Sequence, residues 1–166
     1  MRLRDATWTL ISEKNNGPMR EWLNGSHDEE DPADAVRNFD GGPSGSGLLH
    51  IIVMFGTSPG NSDIIRRIVA LGADVDQTGG THGFAPLHVC DFLEDAAALL
   101  DAGADINARS LNGSTPLLMY AQAGNRFHDI VRLLVRRGAD LSLVDNDGHD
   151  AMMFASGKSL DFLTDV

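Results

Sequence analysis

The tripeptide Gly-Ala-Asp occurs three times in this chain, starting at Gly72, Gly103 and Gly138, with separations of 31 and 35 residues. A recurrence of about 33 residues marks stacked units, none of which can bury its apolar face alone. The segments before each copy align in register: SDIIRRIVAL (62–71), LEDAAALLDA (93–102) and HDIVRLLVRR (128–137). Each has an acid near its start, Asp63, Glu94 or Asp129, where a carboxylate offsets the positive end of a helix dipole. Apolar residues follow at i, i+1, i+4 and i+5, as in Ile64, Ile65, Ile68 and Val69. That spacing is one face of a helix. The glycine after each run sits where a helix ends at positive φ, which only a residue without Cβ adopts cheaply.

A second helix is predicted before each of these. Its clearest start is Thr115-Pro116-Leu117-Leu118-Met119-Tyr120-Ala121, with a capping Thr and a proline at the first helical position. The same slot reads Ala85-Pro86-Leu87-His88-Val89-Cys90 upstream and Leu48-Leu49-His50-Ile51-Ile52 before that. Between Gly-Ala-Asp and these starts lie polar, glycine-bearing stretches, VDQTGGTHGF, INARSLNGS and LSLVDNDGH, which read as hairpin tips.

These motifs resemble the ankyrin repeat family, most closely from Asn112-Gly113-Ser114-Thr115-Pro116-Leu117 to Gly138-Ala139-Asp140. The resemblance covers residues 45–155 and implies an all-α solenoid of stacked helix pairs with hairpin tips, about four to five units including degenerate caps. Only 16 residues separate Pro86 from Gly103, against 21 between Pro116 and Gly138. The shortening is expected in the turn between the helices, where loops tolerate length change. Extra residues fall in the same turn at GTSPGN (56–61) and near Asn125-Arg126-Phe127. A truncated terminal cap is expected at Ser159-Leu160-Asp161-Phe162-Leu163. Residues 1–40 read as a degenerate N-terminal capping unit with an acidic excursion, and 41–166 as the repeats. In the cap, Ala6–Glu13 and Pro18–Leu23 are expected helices, with Trp8, Leu10, Ile11, Met19, Trp22 and Leu23 packing on the next unit. The excursion over 27–47 carries six acids against Arg37 alone. It is expected to be flexible at its tip, and residues 27–34 dispensable.

Thirteen Lys and Arg against 24 Asp and Glu give a formal charge of −11. Phosphate backbones and anionic membranes require clustered cations, so neither nucleic acid nor a membrane is an expected partner. No apolar run approaches the ~20 residues that span a bilayer, and the first residues lack a signal peptide's apolar region. One cysteine makes no internal disulfide, which fits a cytoplasmic compartment.

The residues that invite chemistry read better as structure. In the register that the resemblance implies, Cys90 fills a small inward position, and His88, two residues away, does not face it. His50 and His88 fall at the family's Pro-Leu-His position, where the resemblance implies a bond to the neighbouring backbone. Asp145-Asn146-Asp147-Gly148 fails as a calcium loop: with Gly148 at position six, positions one and twelve become Leu143 and Phe154. His82 and His149 lack further zinc ligands. The segment before Asn107 resembles those that asparaginyl hydroxylases modify, although Asn107 reads as a hairpin brace. No nucleophile elbow, phosphate loop or zinc-protease motif is present, so no catalytic, metal or cofactor site is expected.

The resemblance implies partner contact through the tips and first helices. In this chain those positions are Gln77, Thr78, Thr81, His82 and Phe84; Arg109, Ser110, Leu111, Asn112 and Ser114; Tyr120 and Gln122; and Val144, Asp145, Asn146, Asp147 and His149. The expected function is a non-catalytic protein-binding module, monomeric when alone, for a protein with a basic surface. Small size and acidity favour an inhibitor or immunity protein against a basic toxin or enzyme; the alternative is an adaptor or host-directed effector scaffold.

Overall fold

A computed structural model of the chain describes residues 1–25, 31–41, 45–55 and 61–155. In these residues all regular structure is helical, apart from one isolated bridge between Gly79 and Phe84. The first helices are α1 (Leu3–Glu13) and α2 (Gly17–Leu23), followed by a short α3 (Pro32–Arg37). The first full pair is α4 (Leu48–Phe55) and α5 (Ser62–Ala70). The second is a single 3₁₀ turn (Pro86–His88) with α6 (Leu93–Asp101). The third is α7 (Pro116–Ala123) with α8 (His128–Arg136), and α9 (Ala151–Ala155) begins a further unit.

Each second helix is nine residues long and buries the face that its apolar spacing marks: Ile64, Ile65 and Ile68 on α5, and Ile130, Val131 and Leu134 on α8. Each such side chain contributes roughly 1.5–3 kcal/mol on burial. The helices stack in sequence order, α2 on α5, α5 on α6 and α6 on α8. The three C-terminal glycines have φ of +104°, +97° and +89°. The amides of the alanines that follow close the last turns onto Ile68, Leu99 and Leu134 carbonyls. At N-termini, Thr115 Oγ1 accepts the Leu118 amide at 3.3 Å, and Asp31 caps α3 through the Asp34 amide at 3.0 Å.

Four expectations require correction. The five-residue deficit of the second unit falls in its first helix rather than in the turn. The 3₁₀ turn has three residues where α7 has eight, whereas the connections 89–92 and 124–127 are equal in length. Trp8 is 70% exposed while Trp22 is fully buried. The buried face of α1 is Leu3, Ala6, Thr7 and Leu10, and Trp8 projects from the other side. That helix also begins three residues earlier than expected, at Leu3. The acidic excursion contains α3, whose Val36 is buried, so part of it packs as a helix rather than running as a loop. Residues 26–30, most of GTSPGN and the expected cap at 159–163 lie outside the described residues.

Candidate functional site

The tips are built by a repeating side-chain device. Asp74, Asp105 and Asp140, the acids of the three Gly-Ala-Asp copies, each accept the amide two residues on, at 3.0, 2.9 and 2.9 Å. The residue in that next slot then reaches the following unit. The Asp76 carboxylate accepts the Asp105 amide at 3.0 and 3.1 Å, and Asn107 Oδ1 accepts the Asp140 amide at 2.9 Å. Asn107 is thus a brace between hairpins. Burial, the largest influence, pushes the Asp76 carboxyl up, and the charges of Asp105 and Asp74 push the same way.

A second ladder joins the outer ends of the tips. The Leu111 amide donates to the His82 carbonyl, and the Asn146 amide to the Asn112 carbonyl, both at 2.9 Å. Asn146 Nδ2 also donates to the Leu111 carbonyl at 3.2 Å. Backbone so held presents side chains in fixed positions. Leu111 is 74% exposed and Val144 41%. Arg109 lies between their units, its Nη2 donating to the Val144 carbonyl at 2.6 Å.

Of the other proposed contact residues, Gln77, Thr78, Thr81, His82, Asn112, Gln122, Asn146 and Asp147 are exposed. Phe84, expected as a contact residue, is half-buried and stacked between His82 and His88 with ring centroids 5.2 and 5.6 Å away, so it also packs within the stack. His149 and Asp145 are also half-buried, bonded to each other at 3.2 Å. Backbone amides and His149 hold the Asp145 carboxyl below its usual range. Asp145, Asp147 and His149 bring their ligand-type atoms within 4.8 Å of one another, yet both Asp145 oxygens are engaged inside the turn.

Three proposed contacts are wrong for a physical reason. Ser110, Ser114 and Tyr120 are buried at 7%, 6% and 3% exposure. Ser110 Oγ bonds to Asn112 Oδ1 inside the tip. Tyr120 replaces the missing turns of the second unit: its hydroxyl accepts the Cys90 amide at 2.8 Å and donates toward the Leu87 and Cys90 carbonyls, both at 3.0 Å. Those groups would have been bonded within a longer helix.

The shortened helix also leaves an apolar groove of about 290 Å³ beside it, lined by Met54, Val89, Cys90, Met119, Ala123 and Phe127 among others. Sequence reading missed this groove, although the five-residue deficit was its signal. Cys90 is buried, its thiol donating to the Pro86 carbonyl at 3.3 Å, and burial pushes that thiol well above its usual range.

The histidines form a third inter-unit device. His50 Nε2 lies 2.7 Å from the Phe84 carbonyl, and His88 Nε2 3.1 Å from that of Ser114. His88 Nδ1 accepts the Ala85 amide at 3.2 Å, which fixes a neutral ring with the proton on Nε2. Burial lowers the pKa of both rings.

Residues 91–164 match the family described as "Ankyrin repeats (3 copies)", and the stacked helix pairs, glycine-closed second helices and amide-laddered tips are consistent with that match. Residues 91–164 carry ankyrin repeats. An ankyrin repeat protein of fowlpox virus is 32% identical over 132 residues, covering 74% of this chain and 62% of the relative. An ankyrin repeat-containing protein of Treponema pallidum is 33% identical over 99 residues, 58% of this chain and 33% of the relative. Human ankyrin repeat and SOCS box protein 6 is 33% identical over 108 residues, 60% of this chain and 25% of the relative. The chain thus spans less than two thirds of the length of each. Ankyrin repeats are protein-interaction modules, and this chain has the ankyrin tips and helix pairs that such modules use. Among the described residues, no helix is long and apolar enough to cross a membrane.

Proposed function

We propose that this chain is a non-catalytic module that holds a protein partner with a basic surface against its hairpin tips. The observation that carries this reading is the exposure of Leu111 and Val144 on tips whose backbone is fixed from unit to unit. Exposed apolar side chains on a rigid support suit contact better than solubility. Arg109 beside them is the residue type in which interface energy concentrates. The formal charge of −11 supports a basic partner and a faster encounter at low salt. In this reading residues 1–40 cap the stack and the chain is monomeric when alone, and a free, buried cysteine supports a cytoplasmic setting.

Acidity and compactness favour an inhibitor or immunity protein that blocks a basic toxin or enzyme. A second reading, an adaptor or effector scaffold, is favoured by relatives whose names are a SOCS box protein and the E3 ubiquitin-protein ligase KEG of Arabidopsis thaliana. A toxin gene adjoining this one would decide for the first.

Capture from the native cell with mass spectrometry identifies the partner, and calorimetric titration tests the surface. Leu111→Ala with Arg109→Ala is expected to weaken that complex by ~100-fold, with little change in thermal stability. Wild-type affinity in the double variant would place the interface elsewhere, on the second helices around Arg66 and Arg67.

A further inference from the structure

A line of buried polar side chains runs through the first units. Arg20 Nη1 donates to Asn16 Oδ1 at 2.9 Å, Asn16 Nδ2 to Asn61 Oδ1 at 3.1 Å, and Asn61 Nδ2 to Asp95 Oδ2 at 2.9 Å. Asn16, Asn61 and Asp95 stand at the amino ends of α2, α5 and α6 and are 9%, 0% and 1% exposed. Asn61 makes no side-chain cap bond to its own helix; its amide is given to its neighbours and to the Ile52 carbonyl. Every donor in the line points toward Asp95. There the line stops, because Asp95 Oδ1 is buried without a partner.

The surroundings of Asp95 disfavour a charge. On α6 its neighbour is Glu94, and α5 brings Asp63, whose carboxylate is paired with Arg20 at 3.0 Å. Beside the 3₁₀ turn are Asp91, paired with Arg126, the neutral thiol of Cys90, and His88, which burial keeps neutral. On α8 the titratable groups of the first turns are His128, Asp129 and Arg132. Among the described residues no cation pairs with Asp95, and Arg20 reaches it only through two amides. The amino end of α6 favours a carboxylate, but burial of an oxygen that nothing solvates opposes it more strongly.

We propose that Asp95 is a proton-dependent latch: with its carboxyl neutral, the Asn16–Asn61–Asp95 line holds α2, α5 and α6 in register, and ionisation loosens that junction. The direction agrees with the titration of the group, since burial, foremost, and then the Glu94 and Asp63 charges push the carboxyl up while the Asn61 bonds pull it down. A carboxyl raised in the fold binds its proton more tightly there than in the unfolded chain. Its contribution is therefore complete below about pH 4, the unfolded value, and is lost as pH rises through the folded value.

The test compares thermal unfolding of the wild-type chain and Asp95→Asn from pH 4 to pH 8. Asparagine keeps the acceptor for Asn61 and never ionises. The melting temperature of the variant relative to wild type is expected to rise with pH, by about 3–5 °C for each unit by which the folded pKa exceeds the unfolded one. Parallel pH curves would overturn the proposal. Carbon NMR titration of the wild-type Asp95 carboxyl reads the same group without substitution. A midpoint in the ordinary range near 4 would overturn the proposal even if the variant failed to fold. Amide exchange in α5 and α6 that quickens above that midpoint, while α8 stays protected, is the expected local signature; uniform exchange contradicts it.

Discussion

The Tyr120 hydroxyl meets three backbone groups that a helix of one turn leaves without helical partners. A phenol can do this because it both accepts and donates from one atom. Burial pushes its pKa well above the usual value, so it stays protonated and keeps the donor. Tyr120→Phe leaves the ring packing in place and removes only the oxygen. The buried amide and carbonyls then pay desolvation with no partner, about 1–3 kcal/mol. Denaturant unfolding of the variant is expected to show that loss with an unchanged slope. An unchanged midpoint would mean that water replaces the hydroxyl. The sequence showed Tyr120 as one more first-helix residue; its role depends on a partner 30 residues away whose own helix had to be seen to stop.

At the scale of elements, the second helices and their glycine ends were legible because their signals are local: apolar spacing, a first-turn acid and a residue without Cβ. The first helix of the second unit was not. Ala85-Pro86-Leu87-His88 carries a good helix start, and the deficit of five residues has two places to go. Tertiary packing of α4 and α7 around the 3₁₀ turn, together with Tyr120, settled it. In the first two helices, two tryptophans look alike in sequence, yet the 100° step of α1 turns Trp8 outward. Of the contact surface, the tips were legible as loops, but the burial of Ser110, Ser114 and Tyr120 depends on neighbours from other units. The braces between hairpins offer a test at this scale. Asn107→Ala removes the acceptor for the Asp140 amide and is expected to cost about 0.5–1.5 kcal/mol in denaturant unfolding. Asn107→Asp should recover most of that, since Asp76 performs the same bond with a carboxylate one unit earlier. Equal losses in both variants would show that the amide group, rather than the acceptor oxygen, matters there.

Over the whole molecule, stability is shared among junctions, because each unit touches mainly its neighbours. Two of those junctions are closed by neutral imidazoles, His50 to Phe84 and His88 to Ser114. Burial lowers both pKa values, with the backbone bonds partly opposing it. An unfolded histidine takes a proton below about pH 6.5, while these rings resist it. The folded chain then binds fewer protons than the unfolded one, so stability is full above about pH 6.5 and is lost as pH falls toward the lowered values. The third unit shows how to remove the effect, because Leu118 holds the corresponding slot with no ionisable group and is 1% exposed. His88→Leu sacrifices the bonds to Ala85 and Ser114 and is expected to lower stability at pH 7.5. It should also make the decline between pH 6.5 and pH 5 shallower, since one of the two resisting rings is gone. Unfolding free energies from denaturant titrations at several pH values read both effects in one series. If the variant declined as steeply as the wild type, the acid limb would belong to other groups, and the buried histidines would act through their hydrogen bonds alone.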